Sequence, residues 1–369
     1  LLGDHAMHAQ CLQSLGDIRK MQSQYLEAES FLSQAKELFE RIGDQLQAAQ
    51  CLQSMGNIRK MQDLYPEAEN FLTHAKEIFE RTGNQQGTAQ CLQSLGENRS
   101  MQAQYLEAQN FFIQAKEMFE RIAYQQGAAQ CLRSLGETKW AQNQYLEAED
   151  FLTQARELFD RNWDHHGTAQ CIQSLGDCRR MQDQYPEAED LLIQAKTLFE
   201  GIGDQLGAAQ CLKSLGNIRR MQGQYTEAED LLIQVKNMFE RIGEQMGGAQ
   251  CLWSLGEIRR KQGHYSEAED LFLKSKEIRE KIGDMSGLAW CLYSLGKMRH
   301  QQVEDAEAEV FFTQAKEIFE RIGERMHAKC LRILAKICMS LAQYPEAVDY
   351  LSQAKEIFER VGHQLGAAR

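Results

Sequence analysis

The sequence predicts an all-α solenoid of nine antiparallel helix pairs. Three observations carry this. Cysteine recurs every 40 residues, at Cys11, Cys51, Cys91, Cys131, Cys171, Cys211, Cys251 and Cys291. A ninth, Cys330, comes one residue early and marks a deletion at the last junction. Within each unit, apolar residues return at helical spacing in two separate stretches. Glycines, prolines and acidic cap residues punctuate those stretches. A strict period of this length stacks repeats and does not close one globule. A single solenoid over 1–369 is therefore expected, with repeats near 4–43, 44–83, 84–123, 124–163, 164–203, 204–243, 244–283, 284–323 and 324–362. The residues before and after read as partial repeats, so the chain is expected to be a stretch of a longer array.

The unit 44–83 shows each element in order. Asp44 is suited to cap a first helix, A. Ala48, Cys51, Leu52 and Met55 then form its apolar stripe, and helix A should end near Met61 and Gln62. Helix B should begin at Tyr65. The three prolines of the chain, Pro66, Pro186 and Pro345, occupy the next position, where a missing N–H costs nothing. In two other repeats that position opens a capping-box pattern, Thr226 to Glu229 and Ser266 to Glu269. Helix B carries Ala68, Phe71, Leu72, Ala75, Ile78 and Phe79 on one stripe. Gly83 should close it in the left-handed conformation, as Gly43, Gly203, Gly243, Gly283, Gly323 and Gly362 should close others. Gly56, Ala68 and Ala75 leave no bulk where A and B cross.

Leu15, Gly16, Tyr25, Ala28, Leu32 and Ala35 of the first copy carry a pattern that resembles the tetratricopeptide repeat, and it recurs along the whole chain. The departure is length, because typical members have 34 residues. The longer helices resemble the variants of kinesin light chains. The wording of the repeat also resembles the C-terminal arrays of fungal STAND, NLR-like NTPases. The resemblance implies a right-handed superhelix of about one turn with helix A lining its concave side. It also implies binding of a peptide or helix in that groove, or service as the ligand-sensing or autoinhibitory arm of a larger NTPase. No G-x-x-x-x-G-K-[ST] is present, so the nucleotide site itself is not expected here.

Composition narrows the function classes. The net charge is −12 and the pI about 5.4, which oppose broad attraction to nucleic acid or anionic lipid while leaving room for a local basic stretch. A mean hydropathy of −0.53 without a long apolar run predicts no transmembrane helix. One cysteine per repeat cannot zip into disulfides, because packed helices lie about 8–10 Å apart and a disulfide needs Cα atoms within about 7 Å. Buried thiols in a reducing, cytoplasmic setting are expected. No Cys-x-x-Cys or paired histidine spacing suggests a metal, since the adjacent His165 and His166 would not share a helix face. No nucleophile–base arrangement interrupts the repeat. The expectation is a non-enzymatic scaffold with no cofactor, a protein or peptide partner, and possible end-to-end contact between copies through exposed repeat ends.

Repeated charges read mainly as scaffolding. Arg19, Arg59, Arg99, Lys139, Arg179, Arg219, Arg259 and Arg299 stand late in helix A, and Glu29, Glu69, Glu149, Glu189, Glu229, Glu269 and Glu309 in helix B. In the ninth repeat they become Cys338 and Val348 together, which suggests a half-buried pair inside each repeat. Glu37 and Arg41 have the i,i+4 spacing of a solvated outer face.

Binding residues should sit on helix A. Positions 10, 13, 17 and 20 of the first copy share one face, and in most copies read Gln, Gln, acidic or Asn, then basic. Two places break the pattern. In repeats 7 and 8 the slots become Trp253, Trp290 and Tyr293, with Arg260, Lys297 and His300 nearby. Clustered aromatics supply large contact area at low entropy cost, so these form the primary candidate site, with Trp253 and Tyr293 side by side. Asp305 replaces the usual Tyr there. In repeat 4, Arg133 and Trp140 break the pattern, and Ala123–Tyr124 and Asn162–Trp163 lack the closing Gly. That repeat is a second candidate contact, or a point where altered caps change the local curvature.

Overall fold

The structure is a computed structural model. It describes residues 2–21, 24–62, 64–322 and 324–367, with side chains over 5–21, 24–62, 64–321 and 326–359. Eighteen helices occur among the described residues. They are α1 (Leu2–Met21), α2 (Tyr25–Ile42), α3 (Gln45–Met61), α4 (Tyr65–Arg81), α5 (Gln85–Met101), α6 (Tyr105–Arg121), α7 (Gln125–Ala141), α8 (Tyr145–Arg161), α9 (His165–Met181), α10 (Tyr185–Gly201), α11 (Gln205–Met221), α12 (Tyr225–Ile242), α13 (Gln245–Gln262), α14 (Tyr265–Ile282), α15 (Met285–Gln301), α16 (Asp305–Ile322), α17 (Glu324–Ser340) and α18 (Tyr344–Ala367). Odd helices are A and even helices are B. The chain forms two compact units, Leu1–Gln194 and Ala195–Arg369. Within each, an A helix packs antiparallel on the B helix that follows, and that B helix packs on the next A helix. Successive A helices also touch, as α3 with α5 and α13 with α15 do. The A helices thus form a continuous face in each unit.

The ends of these helices follow local chemistry. Asp44 accepts the Gln47 N–H at 3.1 Å and Asn84 that of Gly87 at 3.0 Å, each satisfying an orphan donor. Gly43, Gly83, Gly203, Gly243 and Gly283 close helix B with φ between 72° and 83°. Ala123 and Trp163 adopt the same left-handed turn without glycine, both at φ 56°. The closing bonds are kept: Tyr124 N–H reaches Phe119 O at 2.8 Å, as Asp44 N–H reaches Phe39 O at 2.8 Å. The missing glycines therefore do not alter the turn, and the basis for a change of curvature at repeat 4 disappears.

Three further end signals are corrected. Helices α12 and α14 already begin at Tyr225 and Tyr265, with no side-chain cap. Thr226 and Ser266 are thus inside the helix and their capping boxes do not form. Gly362 does not close a helix, because α18 runs on to Ala367. Gly43, Gly83, Gly203, Gly243 and Gly283 precede Asp, Asn or Glu, which cap the next helix, whereas Gly362 precedes His363. Gly323 lies outside the described residues.

The core repeats with the helices. Phe39, Phe119, Phe159, Phe199 and Phe239 are at most 1% exposed, each buried side chain contributing roughly 1.5–3 kcal/mol. Where A crosses B, a Cβ on Gly56 would lie 2.7 Å from Leu72 Cγ, and one on Gly96 would lie 2.7 Å from the Phe112 ring. A side chain at either position would force the facing Leu72 or Phe112 to shift. Burial pushes the Cys51, Cys91, Cys131, Cys171, Cys251 and Cys330 thiols up to about 12. Cys11 departs from the expected buried series, because it is exposed.

Repeat 7 changes this core. Ser275 and Arg279 stand where other repeats place a small residue and Phe, and the Arg279 side chain is only 6% exposed. Its Nε donates to Ser275 Oγ at 3.2 Å and its Nη1 to Asp284 Oδ2 at 3.1 Å. Ser275 Oγ in turn donates to Ala249 O at 2.8 Å. A buried polar joint thus replaces an aromatic contact between α14 and α15.

The charge ladder is paired, but not as the sequence suggested. Glu29 binds the next repeat's Arg59 at 2.8 Å, Glu149 binds Arg179 at 2.8 Å and Glu229 binds Arg259 at 3.3 Å. Inside its own repeat, Arg59 meets Glu67 at 3.3 Å, and Arg259 meets Glu267 at 3.2 Å. Arg59, Arg99, Arg259 and Arg299 therefore each join their own helix B to the preceding one. The joint loss at Cys338 and Val348 is not the loss of one pair, since the carboxylates whose charges act on Cys338 are Glu309 and Glu346. These half-exposed pairs set register more than they add stability.

Candidate functional site

The A-helix face is polar in most repeats, and its groups largely satisfy one another. Lys20 binds Asp17 at 3.0 Å and Arg180 binds Asp177 at 3.0 Å, each one turn apart. Bonds also cross between neighbouring A helices. Ser54 Oγ donates to Asp17 at 3.2 Å, Ser254 Oγ to Asn217 at 2.9 Å and Lys213 Nζ to Gln250 at 2.5 Å. Lys60 binds Glu97 in the same way. This face offers scattered hydrogen bonds to a ligand, not a field of one sign.

Repeats 7 and 8 differ. Trp253 on α13 and Trp290 on α15 meet edge to face, with centroids 6.2 Å apart. Trp290 meets Tyr293 at 5.8 Å. The expected direct pairing of Trp253 with Tyr293 is not what forms, because Trp290 stands between them. The three rings are half-buried. Trp290 also packs on Phe319 at 5.7 Å and Tyr293 on Phe312 at 5.5 Å. Trp253 Nε1 donates to Ser294 Oγ at 3.0 Å, which fixes its ring. The cluster is therefore anchored from below and preorganised, which lowers the cost of seating a ligand.

The neighbouring cations divide. The Arg220 guanidinium lies 5.6 Å from the Trp253 ring and the Lys297 ammonium 5.8 Å from the Tyr293 ring, both within cation–π range. Burial, then the Arg260 charge, holds the Lys297 ammonium below its usual range. Burial also raises the Tyr293 phenol. Arg260 does not reach solvent: it is 2% exposed, binds Glu257 at 2.7 Å and donates to Gln301 at 2.7 Å. It cannot receive an acidic group as the sequence suggested, and instead clamps α13 to α15. His300 is engaged by Asp305 at 2.6 Å, and Asp305 also accepts from Ser340 at 2.7 Å. The Ser340 hydrogen bond, with that from His300, holds the Asp305 carboxyl below its usual range. The Tyr-to-Asp change thus ties α15, α16 and α17 together.

Arg133 and Trp140 lie on one face of α7 in the first unit. Arg133 binds Glu137, and Trp140 is 38% exposed. They make a single exposed ring beside a neutralised charge, a weaker site than the three-ring cluster. Sequence comparison by slot missed the buried Arg279 joint below Trp290, although Arg in the place of Phe was visible.

Among the described residues no helix is long and apolar enough to cross a membrane. The tetratricopeptide repeat profile matches seven overlapping windows, at 8–81, 49–121, 88–161, 128–201, 167–241, 206–281 and 248–321. No curated protein matches the chain. Solved structures do. A Rap protein complexed with competence and sporulation factor superposes with a TM-score of 0.68 at 16% identity, over 97% of this chain and 99% of that one. The Rap conjugation gene regulator of plasmid pLS20, in complex with the Phr* peptide, gives 0.63 at 14% identity over 97% and 96%. A STAND protein with a tetratricopeptide repeat sensor from Pyrococcus horikoshii gives 0.58 at 12% identity, over 92% of this chain and 54% of that one. At these identities the likeness is one of fold.

Proposed function

The chain belongs to the tetratricopeptide repeat family, and from that premise we propose that it is a non-enzymatic scaffold that captures a peptide or helix on its A-helix face at repeats 7 and 8. The observation that carries this is the anchored ring cluster of Trp253, Trp290 and Tyr293 on α13 and α15. Half-buried aromatics held by a core and rimmed by polar groups are the make-up of a binding hot spot. Two structures of the same fold were solved with a bound factor or peptide, which supports the same use of the face here. Selection of a random peptide library on the purified chain tests it. Enriched peptides should carry an aromatic or large aliphatic residue and should quench or shift tryptophan emission on binding. Failure to enrich any peptide in repeated selections contradicts the reading.

A second reading is that the array is the sensing or autoinhibitory arm of a larger STAND NTPase, as the sequence resemblance suggested. The superposition on a STAND sensor favours it. The two readings share the groove and differ in what the captured ligand controls. A nucleotide-binding domain encoded in the same gene supports the second, and a gene encoding repeats alone contradicts it.

A further inference from the structure

The four groove slots of α17 are unlike those of any other repeat. Where the first copy has Gln10, Gln13, Asp17 and Lys20, the ninth has Lys329, Arg332, Lys336 and Met339. Their spacing of three and four residues places them on one helix face. The opposite face is spent on the core: Ala328, Leu331, Leu334, Ala335, Ile337 and Cys338 are at most 1% exposed. Lys329, Arg332 and Lys336 are exposed. Among the described residues none of them makes an ion pair.

These charges adjoin the aromatic cluster. Trp290 and Tyr293 pack against a core that includes Cys330 of α17, and Tyr293 also against one that includes Leu334 and Ile337; the Lys329 charge acts on Lys297, and the Arg332 charge on the Tyr293 phenol. The groove slots of α13, α15 and α17 together hold Arg260, Lys297, Lys329, Arg332 and Lys336. Glu257 is their one carboxylate, and Arg260 already binds it. Elsewhere on the A-helix face Lys20, Lys60, Arg133 and Arg180 each bind a carboxylate, and the whole chain carries −12. A cationic stretch left unneutralised on an acidic protein, beside preorganised rings, calls for an anionic partner.

We infer that the α15–α17 end of the face selects an acidic peptide, with an aromatic or aliphatic residue seated at Trp253, Trp290 and Tyr293 and its carboxylates over Lys329, Arg332 and Lys336. This rests on the peptide-binding reading and adds the sign of the partner. It also gives the direction of binding, with the acidic residues lying toward α17 from the anchored side chain.

The test uses three synthetic peptides that share one Trp and differ in flanks of Glu, Gln or Lys. Fluorescence anisotropy with the whole chain should show the Glu peptide binding about tenfold tighter than the Gln peptide in low salt. That margin should narrow as salt screens it. The combined variant Lys329→Glu, Arg332→Glu and Lys336→Glu changes exposed side chains only, and circular dichroism checks its fold. It should lose the preference and favour the Lys peptide. Equal binding of the three peptides overturns the acidic assignment while leaving peptide capture intact. Binding of none of them overturns it as well, and the library selection then shows whether peptide capture itself fails. Tighter binding of a single-stranded oligonucleotide than of the Glu peptide overturns it in favour of another polyanion.

Discussion

Asp284→Ala is expected to lower the stability of repeats 7 and 8 by about 3–5 kcal/mol, the range for a buried pair that loses one partner. The substitution strands the Arg279 guanidinium, whose side chain is 6% exposed. It also removes the cap that accepts the Gly287 N–H at 2.8 Å. The joint is itself replaceable. Arg279→Phe restores the residue that most repeats use, and Phe39, Phe159 and Phe199 are likewise followed five residues on by an Asp. It should be neutral or stabilising, because well-packed apolar groups often replace a buried ion pair without loss. In the Arg279→Phe background, Asp284→Ala should cost only the cap, about 1 kcal/mol. Urea unfolding of the four proteins forms a double-mutant cycle. Equal cost of Asp284→Ala in both backgrounds would show that the ion pair does not hold the joint. Unfolding of a long array need not be two-state, so the comparison should also follow a local probe such as Trp290 emission.

The second large effect is on binding. Trp253→Gln should weaken a groove-bound peptide by about 2 kcal/mol or more, roughly thirtyfold. The fold should survive, since Gln13, Gln53, Gln93 and Gln173 occupy the same slot in other repeats. Trp290→Gln should cost both binding and stability, because Trp290 also packs on Phe319. The contrast between the two substitutions separates a contact from a support. A Trp253→Gln chain that binds selected peptides as tightly as the native chain would move the site away from α13.

The sequence shows the repeats, the helix ends and the cross-over glycines because one pattern is written nine times. Asp44 and Asn84 cap as their chemistry demands, and Gly43 and Gly83 close as expected. The same periodicity hides partners. In a strict 40-residue period, a pairing of Arg59 with Glu69 and one with Glu29 repeat equally well along the chain. Only packing chooses Glu29. Position alone also fails for Arg260, which shares its slot with Lys20 and Arg180. It is buried because Glu257 and Gln301 close over it. Thr226 and Ser266 show the limit of a motif. Their spacing fits a capping box, but Tyr225 and Tyr265 have already entered the helix. The three cations of α17 stand in slots where earlier copies carry at most one or two cations at a time, such as Arg133, Lys213 and Lys297, and only their grouping on one helix is new.

Amide hydrogen exchange of the whole chain, with and without a library-selected peptide at saturation, tests the central claim most directly. The account predicts slower exchange in α13, α15 and α17, with the B helices α12, α14 and α16 unchanged. Slowing confined to the B helices, or to the first unit, would contradict it.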